Sequence, residues 1–218
     1  SVHILLASSS PRRQALLAQV GLPYRVEVPT VDEDALLAEG GRADTLPSLE
    51  DAAAIACRIA ELKAADVISR RRAPADAVDV VVAADTIVVC DGRLMAKPAD
   101  AAEARAMLTL LGGRAHHVVT GLSVRVVGGG EPREGRGRTQ AEITEVTFRA
   151  LSDAVIGAYV GSGEPFDKAG GYGIQGLGAA LVKRIDGCYF NVVGLPLGLL
   201  CEMLASLGFP VHEWWRRA

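Results

Sequence analysis

An apolar run, Val78–Ala84, sets the strongest limit on the architecture of this chain, because it consists almost entirely of Val and Ala. A strand of this composition is typical of a sheet that is covered on both faces. Asp85 and Thr86 follow the run directly, and open sheets place ligands beyond the carboxyl ends of their strands. We therefore expect Asp85 to lie in a ligand site at a strand end. The alternative is an aspartate that closes a turn onto its own backbone.

A polar elbow, Ser8-Ser9-Ser10-Pro11-Arg12-Arg13, separates an apolar run at residues 2–7 from a helical pattern at residues 14–20. Its third serine can cap the helix, and its proline suits the first helical position. Hydroxyls, backbone N–H groups, a helix dipole and two guanidinium groups would then converge at one point. This predicts a site for phosphate or another compact anion. The alternative is a capped helix with two solvated arginines.

Helical and β patterns alternate along the rest of the chain. Spacing and capping residues predict helices over residues 49–69, from Asp100 to Leu111, after Ser152 and after Pro196. Apolar runs predict strands over residues 24–28, 87–90, 118–127, 139–148 and 180–185. The glycine, proline and charged residues in segments 39–48 and 128–138 predict loops there. No repeat or clean linker divides the sequence, so we expect one domain, residues 1–218, with two lobes around a cleft.

Two polar features allow more than one interpretation. Val31-Asp32-Glu33-Asp34 contains three adjacent carboxylates, which form either a solvated acidic turn or part of a site. Lys63, on the predicted long helix, is either a site residue or a surface lysine whose stem covers apolar surface. Seven glycines between residues 161 and 178 are typical of a segment where backbone approaches a ligand.

Net charge, cysteine content and hydropathy limit the partners and the cellular compartment that we expect for this protein. The formal net charge of −3 gives no general attraction to nucleic acid or anionic membranes. The four cysteines are scattered, form no C-x-x-C pair and each lie in an apolar context, which predicts reduced core thiols in a cytosolic protein. No basic leader precedes the first apolar run, and no apolar segment approaches the ~20 residues of a membrane span. We therefore expect a cytoplasmic protein with neither nucleic acid nor membrane as a partner.

Cationic and acidic residues near the predicted strand and helix ends suit one kind of chemistry. An acid pair in a basic pocket fits phosphoryl transfer, because cations hold a polyphosphate while carboxylates hold a divalent metal or activate water. Neither a Walker A loop nor a G-x-S-x-G elbow occurs in the sequence. The cations are Arg12, Arg13, Lys63, Lys97 and Lys168, and the acids are Glu33 and Asp85.

Seven short segments occur in a characteristic order: Ala7–Arg13, Val31–Glu33, Ala84–Thr86, Lys97-Pro98, Asp167–Gly170, Tyr172–Gly176 and Asn191–Pro196. Together they resemble the Maf family of nucleoside triphosphate pyrophosphatases, over about residues 2–205. The resemblance implies an inosine triphosphatase-like α/β fold, with a long twisted mixed sheet flanked by helices and a central cleft. It also implies hydrolysis of a nucleoside triphosphate to the monophosphate and pyrophosphate, with a divalent metal such as Mg²⁺, Mn²⁺ or Co²⁺.

The resemblance also implies residue roles. Asp85 matches the proton acceptor, and Glu33, Lys63 and Lys97 match other active-site residues. We expect Glu33 and Asp85 to be the metal ligands. The expected substrate-binding residues are Ser8, Arg12, Arg13, Thr86, Lys168 and Gln175. Members that act on dTTP and UTP carry Arg, Thr and Gln at the positions of Arg12, Thr86 and Gln175, whereas a related branch acting on 7-methyl-GTP does not.

Two points qualify the resemblance. Ala96 stands where Gly commonly precedes Lys-Pro in the family. The family's name also implies a different function, a nucleotide-binding regulator of septum formation with incidental turnover. A binder without catalysis would be expected to lose Asp85 or Glu33, and this chain keeps both. Many relatives are dimers, which makes a homodimer the expected assembly.

Overall fold

The computed structural model describes residues 1–40, 48–72, 74, 76–132 and 135–216. Its helices are α1 (Pro11–Gln19), α2 (Glu33–Gly40), α3 (Leu49–Ser69), α4 (Ala101–Leu111), α5 (Asp153–Gly161), α6 (Tyr189–Val193), α7 (Leu197–Ser206) and α8 (His212–Trp215). Its strands are β1 (Val2–Leu6), β2 (Tyr24–Val26), β3 (Val78–Cys90), β4 (Arg93–Met95), β5 (Ala115–Gly128), β6 (Arg136–Phe148) and β7 (Val182–Asp186). Three 3-10 turns, Glu164–Asp167, Ala169–Gly171 and Gly176–Leu181, occupy most of the glycine-rich segment. Most of the loop predicted over residues 39–48 lies outside the described residues.

The seven described strands form one mixed sheet in the order β2-β1-β3-β5-β6-β7, with β4 paired to β3. β1 is parallel to both β2 and β3, and the remaining pairs are antiparallel. α3 packs on one face of the sheet, and α1, α4, α5 and α7 pack on the other. The α/β class with a mixed sheet flanked by helices is thus confirmed.

β3 continues well past the residue where we expected it to end. The prediction that Asp85 closes a strand is wrong, because β5 pairs with β3 along nearly its whole length and carries the strand onward. On the other edge, β1 accompanies β3 only as far as Val82, and β4 begins to pair at Val88. Among the described strands, none covers this edge between the two. Asp85 and Thr86 lie in the gap.

Two separate apolar clusters lie on the same face of the sheet. The first packs α1 and α7 against β1, β3 and β5, and the second packs α4 and α5 against β3, β5 and β6. Between them stand Thr86 of β3 and Thr120 of β5, whose hydroxyl oxygens are 2.9 Å apart. A hydroxyl pair inside an otherwise apolar face marks the place where the two clusters part and the cleft opens.

Several local predictions are confirmed. Ser10 Oγ accepts the backbone N–H of Arg13 at 3.3 Å, and Pro11 opens α1. α3 has the predicted bounds.

The described part of the chain contains no helix long and apolar enough to cross a membrane. All four cysteines are free thiols, but the prediction of core thiols holds for Cys90 alone, because the other three are only half-buried.

The acidic stretch at Glu33 differs from the prediction, because it begins a helix rather than forming a turn at a strand end. The Asp32 carboxylate accepts the backbone N–H of Ala35 at 3.0 Å and caps that helix, α2. A capping aspartate before a short Ala/Leu segment was therefore the sequence signal for α2. β6 begins at Arg136, so the loop before it is shorter than predicted.

Candidate active site

A cavity of about 280 Å³ opens at the gap beside β3. All ten residues predicted for the site line this cavity: Ser8, Arg12, Arg13, Glu33, Lys63, Asp85, Thr86, Lys97, Lys168 and Gln175. They come from the β1–α1 elbow, α2, α3, β3, the segment after β4 and the glycine-rich segment. Successive side chains of a strand point to opposite faces, so Asp85 faces α3 and Thr86 faces the other layer. Both reach the cavity because it surrounds the uncovered edge of β3.

Lys63 joins the two carboxylates of the site. Its Nζ donates to Glu33 Oε1 at 2.8 Å, to Asp85 Oδ1 at 3.1 Å and to the carbonyl oxygen of Ala84 at 3.1 Å. These three acceptors use all three ammonium hydrogens. Lys63 is only 4% exposed, so it is not a surface lysine with a solvated head group.

The two carboxylates differ in their environment. Asp85 Oδ2 is buried and has no hydrogen-bond partner among the described residues. Burial raises the pKa of Asp85, assisted by Glu33 and opposed by Lys63 and Arg13. Burial acts on Glu33 in the same direction, but Lys63, followed by Lys97 and Arg13, outweighs it and lowers the pKa of Glu33 below its usual range. Acid pairs whose pKa values are pushed apart suit a division of roles between proton transfer and permanent charge.

Arg13 ties the elbow to the floor of the cleft. Its Nε donates to the carbonyl oxygen of Gly194 at 2.7 Å, and its Nη2 donates to Thr86 Oγ1 at 3.1 Å. Its Nη1 donates to Ser8 Oγ at 3.4 Å. Burial lowers the pKa of the Arg13 guanidinium, while Asp85 and Glu33 oppose that shift. All three guanidinium nitrogens therefore contact the protein itself, and Arg13 organises the site in addition to charging it.

Asp167 is a cavity residue that we did not predict for the site. Its Oδ2 accepts from Arg12 Nη1 at 2.9 Å, and its Oδ1 accepts from Lys168 Nζ at 2.8 Å. Burial opposes the ionised form, but the hydrogen bonds from Lys168 and Arg12 lower the pKa of Asp167 to about 2. Two cations from distant parts of the chain thus converge on one anion. The sequence signal for Asp167 was its position next to Lys168 in Asp167–Gly170, one of the seven segments that resemble the family.

Lys97 and Gln175 are more exposed to solvent than Lys63 and Asp85. Both are exposed at the mouth of the cavity, and neither side chain forms a hydrogen bond with the described residues. Lys97 still acts on the site electrostatically, because it helps to lower the pKa of Glu33. These two side chains remain available to a ligand without first breaking an internal contact.

The donor set of the cavity is compatible with a divalent metal that is shared with a substrate. The described residues contain no group of three His, Cys, Asp or Glu side chains arranged to hold an ion. Mg²⁺, however, is usually bound by one or two carboxylates together with substrate phosphates. Glu33 and the unpartnered Asp85 Oδ2 supply hard oxygen donors of that kind.

Comparison with known proteins identifies the family of this chain. The family model described as "Maf-like protein" matches residues 3–207, and the chain belongs to that family. A dTTP/UTP pyrophosphatase from Symbiobacterium thermophilum is 47% identical over 96% of each chain. One from Moorella thermoacetica is 44% identical over 98% of each chain, and one from Syntrophomonas wolfei is 42% identical over 93% of this chain and 96% of its own.

Among solved structures, a nucleoside-triphosphatase / dITP/XTP pyrophosphatase from Mycobacterium abscessus is 18% identical, with a TM-score of 0.37. The match covers 68% of this chain and 75% of that chain. A likeness this distant supports no conclusion about the site.

Proposed function

We propose that this protein hydrolyses dTTP and UTP to the nucleoside monophosphate and pyrophosphate. The observation that carries the proposal is the buried carboxylate of Asp85, of which one oxygen is held by Lys63 and the other has no partner in the described structure. The names of the relatives, each dTTP/UTP pyrophosphatase, support the choice of substrates.

Asp85 is the proton acceptor in this proposal. Burial raises the pKa of Asp85, which makes its carboxylate a stronger base than an exposed aspartate. Oδ2 takes a proton from water, and the oxygen of that water forms a bond to the α-phosphorus. The bond from the α-phosphorus to the bridging oxygen breaks, and pyrophosphate leaves with the electron pair. Lys63 holds the carboxylate through Oδ1 and leaves Oδ2 without a partner among the described residues.

The cations of the site hold the triphosphate. Arg12, Lys97 and Lys168 neutralise its charge, and the N-terminus of α1 offers backbone N–H groups at the same side of the cavity. A divalent metal held by Glu33 together with the substrate phosphates would add positive charge near the phosphate oxygens, and Asp85 Oδ2 would then serve as the base and not as a second metal ligand. Arg13 keeps Ser8 and Thr86 in place at the floor of the cleft.

Base recognition falls to the side chains of Thr86 and Gln175, with Arg12 nearby. An amide offers both donor and acceptor groups, and it can match part of a uracil or thymine edge, which presents two carbonyls around one N–H.

We further propose that residues 1–218 act as a single catalytic domain with two lobes. We propose that the protein acts in the cytoplasm and as a homodimer.

The test is a pyrophosphate-release screen over the canonical and common modified nucleoside triphosphates, each with Mg²⁺, Mn²⁺ or Co²⁺. We expect dTTP and UTP to give the highest kcat/KM, and pyrophosphate rather than orthophosphate as the product. Release of orthophosphate would contradict cleavage at the α-phosphorus. Equal rates for all bases would contradict the substrate assignment, and full activity in excess chelator would contradict the metal.

A further inference from the structure

A single carboxylate outside the cavity lining holds the glycine-rich segment in shape. Glu164 Oε2 accepts the backbone N–H of Leu177 at 3.0 Å, and Glu164 Oε1 accepts the backbone N–H of Gly178 at 2.9 Å. The hydroxyl of Tyr159 donates to the same Oε1 at 2.9 Å. Burial would raise the pKa of Glu164, but these three donors outweigh it and lower the pKa. The ionised carboxylate therefore ties the segment to α5.

Tyr159 extends this contact to the other side of the turn. Its hydroxyl oxygen accepts the backbone N–H of Gly173 at 3.2 Å while its hydrogen goes to Glu164. The two side chains together fix backbone groups at Gly173, before Gln175, and at Leu177 and Gly178, after it. Gln175, which has no side-chain contact of its own with the described residues, is thus positioned from both ends.

The packing leaves the turn little freedom to shift. Gly176 has a φ of +63°, and a Cβ there would lie 2.9 Å from Glu164 Oε2. A Cβ on Gly178 would lie 1.9 Å from the carbonyl oxygen of Gly173 and 2.8 Å from the Tyr159 hydroxyl. Because residues 176 and 178 are glycines, the backbone can pack closely around the Glu164 carboxylate. The position of Gln175 in the turn therefore depends on the position of that carboxylate.

The hydrogen bond between Glu164 and the phosphate side of the site runs through its backbone, and its carboxylate acts on Lys168 only as a nearby charge. Lys168 Nζ donates to the carbonyl oxygen of Glu164 at 2.7 Å, a contact that does not involve the Glu164 side chain. A change of side chain at residue 164 therefore separates the two functions of the segment. It disturbs Gln175 and leaves the anchor of Lys168 in place.

We propose that Glu164, with Tyr159, is a positioning residue that sets Gln175 for recognition of the base. This inference rests on the proposed function, in which Gln175 contacts the pyrimidine. Glu164 touches neither substrate nor reacting atoms, and it acts through the backbone N–H groups of the turn. Its loss affects ligands that carry a base and spares a bare polyphosphate.

The first experiment compares Glu164→Gln with wild type. Glutamine keeps the size of the side chain, but it has one acceptor oxygen where glutamate has two, and its NH₂ group meets a backbone donor. Loss of a hydrogen bond to a charged acceptor predicts about a tenfold rise in KM for dTTP and UTP. We expect kcat to change less than about twofold, because Asp85 and Lys63 are untouched. The inhibition constant of inorganic tripolyphosphate should also change less than about twofold, because Lys168 keeps its hydrogen bonds and loses only one nearby charge.

Two further variants separate positioning from a general loss of structure. Tyr159→Phe removes one donor to Glu164 and the acceptor for Gly173, and should raise KM in the same direction by a smaller factor. Glu202→Gln changes an exposed carboxylate on α7 and should leave KM, kcat and tripolyphosphate inhibition at wild-type values. A parallel loss for nucleotides and tripolyphosphate in Glu164→Gln, or no change in either, would overturn the proposal.

Hydrogen exchange provides a readout that does not depend on turnover. In wild type, the amides of Leu177 and Gly178 should be protected. Glu164→Gln, which keeps one acceptor oxygen, should reduce that protection at one of the two amides at least, while Glu202→Gln keeps it at both. Unchanged exchange at both amides would refute the contact itself. If wild type failed to hydrolyse dTTP and UTP but showed this exchange pattern, the proposed function would fail while the positioning of the turn by Glu164 stood.

Discussion

Lys63 Nζ lies 3.1 Å from Asp85 Oδ1 and leaves Asp85 Oδ2 buried, with no hydrogen-bond partner in the described part of the chain. The same ammonium binds Glu33 at 2.8 Å. One lysine therefore compensates two acids and determines which carboxylate oxygen stays open. A buried oxygen without a hydrogen-bond partner lowers the stability of the free protein. Such an atom is expected where a reactant supplies the missing partner.

Replacing Asp85 with Asn tests the assigned base. The amide keeps the shape of the side chain and can still accept the Lys63 hydrogen bond, but it cannot take a proton. We expect kcat for dTTP and UTP to fall by about 10²–10⁴, with a circular dichroism spectrum like that of wild type. Asp186→Asn, at the exposed end of β7, serves as the control and should keep full activity. Wild-type turnover in Asp85→Asn would remove Asp85 from the mechanism.

Replacing Lys63 with Met tests the charge balance of the cluster. Removing one member of a buried ion pair typically costs about 3–5 kcal/mol, so urea denaturation at pH 7 should show a large loss of stability. Without the ammonium, the folded-state pKa values of Asp85 and Glu33 rise relative to those in wild type, because Lys63 lowers both. The folded variant then binds more protons, and its deficit relative to wild type should shrink as the pH falls from 7 to 5.

The control for that experiment is Lys183→Met, which removes an exposed lysine from β7 and should alter stability little at either pH. A second variant, Lys63→Met with Asp85→Asn, should recover part of the stability lost at pH 7. A deficit in Lys63→Met that is equal at pH 7 and pH 5 would contradict the shared compensation of the two acids.

The burial of His116 predicts that the folded protein loses stability as the pH falls. It is 1% exposed, its Nε2 lies 2.6 Å from the Tyr172 hydroxyl, and burial lowers its pKa to about 3. The unfolded chain binds the proton near pH 6.5, so the stabilising contribution is complete above that pH. It is lost as the pH falls toward 3, at up to about 1.4 kcal/mol per pH unit.

We therefore expect the free energy of unfolding of wild type to fall more steeply between pH 6.5 and pH 4 than that of His116→Gln. The matched control is His212→Gln, because His212 is exposed on α8, whereas His117 itself contributes to the lowered pKa of His116. That control should keep the wild-type slope. Identical slopes for wild type and His116→Gln would show that His116 is not the responsible group.

Gln175→Glu tests base recognition directly. An ionised glutamate offers only acceptors, and it would face the carbonyls of uracil or thymine unfavourably. Gln175 is exposed in this structure, but a bound base would cover its side chain, and a covered polar group left without its match discriminates strongly between substrates. We expect kcat/KM for dTTP and UTP to fall much more than for GTP-type substrates in a parallel nucleotide panel. A uniform fall across all bases would indicate that Gln175 only braces the turn.

Local chemistry explains which parts of the fold were predictable. The serine cap and first-turn proline of α1 and the bounds of α3 follow from residues within one or two turns of each other. The aspartate cap of α2 carried the same kind of signal. That helix was missed because three adjacent carboxylates are also typical of a solvated turn.

Pairings across the chain explain what the sequence could not supply. Asp85 lies inside a strand because β5, a segment about 40 residues later, pairs beyond it, and no pattern near Asp85 encodes that partner. The motifs indicated that Glu33, Lys63 and Asp85 belong to one site, but not that Lys63 would bind both acids. Asp167 was missed for the same reason, because its partner Arg12 is 155 positions away.

The central position of Asp85 in β3 also bears on how this protein could acquire new specificities. Its backbone lies within a sheet that is paired with β5 on one side, and exposing it requires opening a large cooperative unit. Gln175 depends on a few contacts in a surface turn. Substitutions in that turn can accumulate and be tested by selection while the geometry of the hydrolytic step is retained. Descendants of this chain could therefore exchange one nucleobase for another without rebuilding their chemistry.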